Sequence, residues 1–305
     1  MSFKIMLANN ATLLDNAFKL RHKVFVEEEA LLSSTSDGRI IDRFDAYPTT
    51  HNLVVTTDSN EVIGTFRLSL DSTEGLPADE YYDFRKHLPK KSKLLHTGLF
   101  CITKAHRSST LSMGLILMAA YFSVSHDVTH VVAPINPKIG NMLKRIGFQS
   151  VGDEFIEPHT GATMLPLVLD VSTINDFFLN FIKQNQFNDF LNDYERWFFK
   201  KGELIIKAGT IGSEAYHIID GKVQARIPGS THVLGELGEG EMFGELSLLT
   251  DEPRSADIVA ITDVQMMVLS KEAFMSKFLS KPDEVLKLMR LLAKRTQSLI
   301  NQLQK

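Results

Sequence analysis

The sequence predicts an α+β protein of two domains, a mixed α/β domain over residues 1–170 and a β-roll with flanking helices over 171–305. In the first part, helix-like and strand-like segments alternate along the chain. From Phe198 to Ser270, glycines recur at turn intervals between short β-like runs, the pattern of a small roll or barrel. A chain of 305 residues is long enough to form two hydrophobic cores of ordinary size.

Hydrophobic periodicity predicts the elements of the first domain in order. Residues 12–29 have the spacing of a helix, and its apolar face also carries Arg21. The alternation of apolar residues predicts strands at 52–56, 62–70, 94–102 and 129–134 and helices at 111–125 and 137–146.

Helical periods also flank the glycine-rich region. Residues 171–197 are helical in period, with Ser172 or Thr173 as the N-cap. Residues 281–305 predict one amphipathic helix with Pro282 in its first turn. The apolar stripe of this closing helix packs on its own domain or forms a homodimer seam, and it consists of Leu286, Met289, Leu292 or Ala293, Leu299 and Leu303.

Composition and charge exclude several classes of protein. Hydrophobic residues make up 44% and charged residues 23% of the chain, values typical of a soluble globular protein. The net charge is −4 and neither half is basic, which argues against nucleic acid as a main partner. The longest apolar run, 115–124, is about half of the roughly 20 residues that a membrane span needs. With one cysteine, Cys101, and no signal-peptide pattern, we expect a cytoplasmic protein.

Two arginines and two aspartates of the first domain are expected to lie close together. Arg21 lies on the apolar face of its helix, and Arg67 faces the less apolar side of strand 62–70. Asp42 and Asp45 lie between these elements in the sequence. Such a cluster can line a cleft and carry proton-transfer chemistry, and the alternative is a structural ion-pair network. No grouping of histidine, cysteine and aspartate has the spacing of a metal site.

The segment FGELSLLTDEPRSAD, residues 243–257, combines a carboxylate, Glu245, with an arginine, Arg254, in an apolar surround. A planar guanidinium matches phosphate oxygens, and backbone N–H groups at a helix start bind anions. A carboxylate can accept a hydrogen bond from a ribose hydroxyl, and Gly244 allows a close backbone approach. The segment therefore predicts a pocket for a cyclic nucleotide. The alternative is a structural Glu245–Arg254 salt bridge in a roll without a ligand.

This segment resembles the phosphate-binding cassette of cyclic nucleotide-binding domains, and the resemblance extends over about residues 190–305. It implies that Glu245 binds the ribose hydroxyl and Arg254 the cyclic phosphate. The Arg-Ser-Ala form is that of the bacterial catabolite activator, which favours cyclic AMP over cyclic GMP as the effector. That activator continues into a helix-turn-helix, whereas this sequence ends at Lys305, so we expect no DNA reading. The implied pocket residues are Gly244, Glu245, Leu246, Ser247, Arg254 and Ser255.

The first domain contains three short motifs in a defined order. They are R-x-x-V-F-x-x-E from Arg21 to Glu28, the pair Asp42 and Asp45, and G-x-x-R-L from Gly64. Their order resembles the acyl-homoserine-lactone synthases and N-acyl amino acid synthases, a GNAT-like branch of the acyltransferases. The resemblance implies a GNAT-like mixed α/β domain before the β-roll (double-stranded β-helix). It also implies transfer of an acyl group from a thioester to an amine.

The resemblance implies a catalytic set, which consists of Arg21, Asp42, Asp45, Arg67 and His96. His96 stands where these synthases carry the glutamate of E-x-S-R. A histidine pKa near the ordinary value of about 6.5 would suit removal of an ammonium proton, and Asp45 is the alternative base.

The acyl donor is expected in a V between two central strands, bound to coenzyme A or to an acyl carrier protein. The loop RSSTLS, residues 107–112, lacks the glycines usual for coenzyme A, which favours a carrier protein or a long acyl chain. The implied donor-binding residues are Ile102, Arg107, Ser108, Ser109 and Thr110.

Two functions follow from these patterns. The first is a cyclic-nucleotide-regulated N-acyltransferase whose acceptor is an amino acid or a protein lysine. Bacterial proteins that join these two domain types include cyclic-AMP-gated lysine acetyltransferases, so the resemblance implies allosteric signal transduction. The alternative is a non-catalytic cyclic nucleotide sensor whose degenerate acyltransferase domain binds an acyl ligand or a partner protein.

Overall fold

A computed structural model describes most of the chain. The described ranges are 2–158, 160–174, 194–230, 232–278 and 282–303. The chain divides into two compact units, of which one is Ile5–Asn192 and the other joins Asp193–Lys305 with Met1–Lys4. Most of the helix predicted over 171–197 lies outside the described residues. Within the described part, no helix is both long and apolar enough to cross a lipid bilayer.

The first unit combines a mixed sheet with helices. Its strands are β1 (Phe3–Leu7), β2 (Thr50–Thr57), β3 (Val62–Leu70), β4 (Leu94–Ile102), β5 (His130–Ile135), β6 (Gln149–Ser150), β7 (Phe155–Ile156) and β8 (Thr163–Asp170). Its main helices are α1 (Ala11–His22), α2 (Ser109–Ser125) and α3 (Pro137–Arg145). The strands pair in the order β1-β2-β3-β4-β5-β8-β6, and β7 pairs with β8. The predicted α+β class is confirmed, although the sequence analysis did not identify β8.

Helices α1 and α2 cover opposite faces of this sheet. Neighbouring residues of a strand point to opposite faces, as His51 and Asn52 do on β2. Arg21 of α1 donates a hydrogen bond to Asn52, whereas Phe122 of α2 contacts the ring of His51 at 5.0 Å between centroids. Asn10 starts α1 by accepting a hydrogen bond from the Leu13 N–H at 2.9 Å.

Strand β4 separates from β5 halfway along its length. Their parallel pairing in the described chain ends where His96 lies opposite Val132. Beyond that point the β3–β4 register slips, since Cys101 lies opposite Thr65 but Gly98 lies opposite Arg67. An extra residue in one strand of an antiparallel pair is a β-bulge, which bends the strand. Beyond His96, β4 and β5 therefore no longer pair in the described chain, at the place where the resemblance implies a V between two central strands.

The second unit is a two-sheet β-roll followed by a long helix. Its strands are β9 (Tyr194–Phe199), β10 (Leu204–Ile206), β11 (Glu214–Asp220), β12 (Val223–Arg226), β13 (Val233–Leu237), β14 (Met242–Phe243), β15 (Asp257–Ala260) and β16 (Val264–Ser270). They pair in the orders β14-β11-β16-β9 and β10-β15-β12-β13. Its main helices are α4 (Glu245–Thr250) and α5 (Pro282–Leu303). The predicted roll and closing helix are confirmed.

The helix predicted to extend to Trp197 is wrong at its end. Tyr194–Phe199 is strand β9, which pairs with β16 and places Trp197 opposite Met266. The prediction extended the helical period of the preceding residues into a short run rich in aromatic residues. Aromatic residues favour a strand when a neighbouring strand is present. On α5, Leu288 is buried, whereas Leu286 and Met289 of the predicted stripe are exposed.

We predict that Gly221→Ala lowers the free energy of unfolding by about 1–2 kcal/mol or more. Gly221 has φ +91°, and a Cβ there would lie 2.3 Å from the Asp263 carbonyl oxygen. Urea unfolding followed by circular dichroism measures the loss. The control is Gly235→Ala, because a Cβ at position 235 would meet no atom within 4 Å. Equal stability of both variants and the wild type would contradict this account of the turn.

Candidate functional site

A buried ion pair forms the inner part of the predicted charged cluster. Arg21 Nη1 donates to both carboxylate oxygens of Asp45, at 3.0 and 2.9 Å. The two side chains are 0% and 1% exposed. The Arg21 guanidinium also donates to Asn52 and to the Ile40 carbonyl. Burial lowers the pKa of Arg21, and the Asp45 charge partly opposes that shift.

The outer part of the cluster reaches solvent. Arg67 Nη1 lies 2.7 Å from Asp42 Oδ2 and 3.3 Å from Asp45 Oδ2. The Asp42 side chain is 46% exposed, whereas that of Arg67 is 4% exposed. Asp42 also accepts a hydrogen bond from the Phe44 N–H at 2.8 Å, which holds the turn before β2. The structure therefore brings together the two arginines and two aspartates that the sequence analysis grouped.

His96 lies on β4 at the point where β4 leaves β5. Its side chain is buried, and neither ring nitrogen has a hydrogen-bond partner among the described residues. Burial and the charge of Arg67 lower the pKa of His96 to about 3. The expectation of an ordinary pKa is therefore wrong, and the imidazole is neutral and weakly basic at physiological pH.

The predicted donor-binding residues surround the start of α2. Arg107 Nε donates to the Ile102 carbonyl at 3.0 Å, and its guanidinium pairs with Glu28 and Glu29. Ser108 is the N-cap of α2 and accepts a hydrogen bond from Leu111 N at 3.2 Å. Ser109 and Thr110 follow in the first turn, where both are exposed.

In the second unit, Arg254 is held by backbone carbonyl groups. Its Nη1 donates to the Gly244 carbonyl and its Nη2 to the Glu214 carbonyl, each at 2.6 Å. Gly244 has φ +81°, and a Cβ there would lie 2.6 Å from Arg254 Nη1. A Cβ at Gly212 would lie 2.2 Å from Arg254 Cζ. Glycines on two sides therefore let the backbone close around the guanidinium.

Glu245 begins α4 and is 1% exposed. Its Oε1 accepts a hydrogen bond from Arg295 Nη1 of α5 at 2.7 Å. Burial raises the pKa of Glu245, and the Arg295 charge opposes the rise. The salt bridge of Glu245 is therefore with Arg295, whereas Arg254 lies 3.8 Å from a Glu214 carboxylate oxygen.

The remaining predicted pocket residues differ in exposure. Ser247 is buried, and its hydroxyl donates to the Gly244 carbonyl at 3.3 Å. Leu246 is 47% exposed, and Ser255 is also exposed. All three residues belong to the same short segment, 243–257, as Glu245 and Arg254.

The sequence analysis did not identify Arg295. This residue follows Leu288 and Leu292 at helical spacing, so it lies on the same face of α5 as the buried Leu288. An arginine on the apolar face of a helix was the signal that identified Arg21. The same signal was present at Arg295, but only the fold reveals that Glu245 is its partner.

Comparisons with known proteins match both halves of the chain. A model of the family "N-acyl amino acid synthase FeeM" matches residues 16–170, and a model of the cyclic nucleotide-binding domain matches 196–281. A structure of FeeM, an N-acyl amino acid synthase from uncultured soil microbes, has a TM-score of 0.47 at 18% identity and covers 56% of this chain and 93% of that chain.

Two curated relatives match the second half. The cAMP-dependent protein kinase regulatory subunit of Dictyostelium discoideum is 38% identical over 82 residues, which are 25% of this chain and 25% of that protein. The cyclic AMP receptor protein of Thermus thermophilus is 33% identical over 108 residues, 34% of this chain and 50% of that protein. The chain therefore spans a quarter to a half of the length of these relatives.

We predict that Asp45→Asn lowers the free energy of unfolding by about 3–5 kcal/mol, because it leaves the buried Arg21 charge without its partner. Chemical denaturation of the whole chain, followed by circular dichroism, measures this loss of stability. The matched control is Asp15→Asn, which removes a solvent-exposed carboxylate paired with Lys19 and Arg39. We expect a much smaller loss for the control. Similar losses for both variants would mean that the buried pair has no special role.

Proposed function

Since the chain belongs to the N-acyl amino acid synthase FeeM family and carries a cyclic nucleotide-binding domain, we propose that it transfers an acyl group from a thioester to the amine of an amino acid under the control of a cyclic nucleotide. The observation that carries this proposal is the charged cluster beside the V between β4 and β5. A charged cluster with one carboxylate, Asp42, at its exposed end, next to the separation of two strands, suits attack of an amine on an extended thioester.

The donor is proposed to enter the V between β4 and β5. The bulge between Gly98 and Cys101 removes regular pairing there, so backbone N–H groups can donate to a thioester carbonyl. The N–H groups in the first turn of α2, from Ser109, would receive the phosphate of a carrier-protein phosphopantetheine or of coenzyme A. Arg107 already pairs with Glu28 and Glu29, so it is a poor free cation for a nucleotide. This supports a carrier-protein donor.

The acceptor amine is proposed to bind at Asp42. This carboxylate lies at the exposed end of the cluster, while Asp45 is enclosed by Arg21 and Arg67. The ammonium loses its proton through Asp42 to solvent, the neutral amine attacks the thioester carbon, and a C–N bond forms. The carbon–sulfur bond then breaks, and the thiol leaves with a proton.

The second unit is proposed to bind a cyclic nucleotide at the cassette. Arg254 would receive the cyclic phosphate, since its guanidinium is already oriented by two carbonyl groups. Glu245 would accept a hydrogen bond from the ribose hydroxyl and share its carboxylate with Arg295 of α5. Ligand entry would therefore change a contact of the closing helix. Two relatives are named for cyclic AMP, which supports cyclic AMP as the effector.

Binding supplies enough free energy for regulation. A micromolar dissociation constant corresponds to about 8 kcal/mol. Nearly full switching of a two-state protein needs about 5.5 kcal/mol of differential binding. The direction of control, a homodimer through α5 and a cytoplasmic location stay predictions.

A second function is favoured by one observation. His96, at the position of the synthase glutamate, has its pKa lowered to about 3 and cannot act as an efficient base. A non-catalytic sensor, whose first unit binds an acyl ligand or partner protein, is consistent with that loss.

One assay separates the two functions. The full chain is incubated with acyl-coenzyme A or acyl carrier protein thioesters of several chain lengths and with the common amino acids, with and without cyclic AMP. We expect mass spectrometry to detect an N-acyl amino acid, at a rate that changes when cyclic AMP is added. A chain that gives no amide with any donor, yet binds cyclic AMP, would be the sensor.

We predict that Arg254→Lys weakens cyclic AMP binding about ten- to a hundredfold, because a lysine cannot present a planar fork to the phosphate. Isothermal titration calorimetry measures the dissociation constant. The control is Arg226→Lys in strand β12, where the arginine contacts Gln224. An unchanged titration for Arg254→Lys would show that the phosphate binds elsewhere or not at all.

A further inference from the structure

A row of polar residues crosses one face of the sheet in the first unit. Arg67 of β3 lies opposite Gly98 of β4, and Ser69 lies opposite His96. Residues directly opposite each other in an antiparallel pair point to the same face. Arg67 and His96 therefore share a face, on neighbouring strands and two residues out of register.

The imidazole of His96 lies in the space that a side chain at position 98 would occupy. A Cβ at position 98 would lie 2.9 Å from His96 Cε1 and within 4 Å of both ring nitrogens. The imidazole therefore lies over the Cα of Gly98, the residue directly opposite Arg67. Any larger side chain at 98 would move the ring away.

Several buried nitrogen atoms of Arg21, Arg67 and His96 lack a hydrogen-bond partner among the described residues. Among the described residues, the Nε atoms of Arg21 and Arg67 and both ring nitrogens of His96 are buried without a hydrogen-bond partner. Leaving a buried donor unsatisfied costs free energy, so most folded proteins avoid it. A neutral imidazole has one N–H donor and one acceptor nitrogen, so the Arg67 Nε–H and one ring N–H of His96 are donors that a ligand can complete.

The chemistry of these donors selects the ligand group. A guanidinium and a neutral imidazole N–H both donate, and a carboxylate accepts from both. The adjacent Asp42, 2.7 Å from Arg67 Nη1, is the group that suits an ammonium. An α-amino acid carries its ammonium and carboxylate on one carbon atom. The side chain of a protein lysine carries only the ammonium.

We propose that His96 and Arg67 together bind the carboxylate of the acceptor, and that His96 is therefore a specificity residue for amino acids over simple amines. The assignment rests on the proposed acyl transfer. Gly98 is a positioning residue, because it allows the imidazole to reach Arg67. Entry of the carboxylate would supply an acceptor for the Arg67 Nε–H and for the one ring nitrogen of His96 that carries a proton.

The experiment compares acids with their esters. L-phenylalanine, L-leucine and L-lysine are each tested as the free acid and as the methyl ester, which keeps the amine and removes the carboxylate charge. kcat and KM are measured for the wild type, His96→Leu, His96→Gln and Gly98→Ala. The matched control is His51→Leu, which removes another histidine from the opposite face of the same sheet.

For the wild type, we expect kcat/KM to be about ten- to a hundredfold higher for an acid than for its ester, the size of a hydrogen bond to a charged group. His96→Leu raises KM for the acids about tenfold and leaves the esters unchanged. His96→Gln restores part of the preference, because its amide still donates. Gly98→Ala shifts the preference in the same direction as His96→Leu, and His51→Leu retains it.

Two outcomes would overturn the assignment. One is a His96→Leu variant that still turns over and keeps the wild-type preference for acids. The other is equal loss of acids and esters, with thermal unfolding unchanged, which would give His96 a role in the transfer itself. If the wild type forms no amide at all, the proposed function fails separately. Calorimetry then compares the binding of L-phenylalanine with that of its methyl ester. A carboxylate site requires that only the acid binds and that His96→Leu abolishes this binding.

Discussion

The ion pair between Arg21 and Asp45 is the interaction on which the first unit's site depends. Neither side chain reaches solvent, so each charge is tolerated only because the other lies within hydrogen-bond distance. The pair ties α1 to the turn before β2, and that turn places Asp42 beside Arg67. The sequence left a choice between a structural network and a functional cluster. In the structure, the buried pair of Arg21 and Asp45 links two elements of the fold, whereas Asp42, beside Arg67, reaches solvent.

In the second unit, backbone carbonyl groups rather than a close carboxylate orient Arg254. In the proposed pocket Arg254 receives an anion, and a carboxylate in direct hydrogen-bond contact would compete for it. The Glu214 carboxylate lies 3.8 Å away. The two short hydrogen bonds of Arg254 go instead to the Gly244 and Glu214 carbonyls, which orient the guanidinium without neutralising it. Glu245 has its own cation in Arg295, which lies on a different element. The acid and the base therefore have separate partners, as the proposed pocket for a ligand with both a phosphate and a hydroxyl requires.

The parts of this protein that could be predicted are those that local sequence determines. Strand β4 was predicted with its observed bounds because apolar runs between turn residues depend only on neighbours. Glu245 and Arg254 were found because they share one short segment. Arg295 was missed because its partner lies 50 residues away. The pKa of His96 was misjudged because burial and the proximity of Arg67 arise only when β3 and β4 pair.

Charge balance gives a physical meaning to the histidine at position 96. Arg21, Arg67, Asp42 and Asp45 sum to zero, so the cluster has no charge left to neutralise. A glutamate at 96, as in the synthases that this domain resembles, would add a buried negative charge beside Arg67. A neutral histidine adds one N–H donor and no charge, and burial keeps it neutral by lowering its pKa to about 3. In the proposed complex, an amino acid with one ammonium and one carboxylate would bind without changing the net charge, and its carboxylate would lie beside Arg67 and His96.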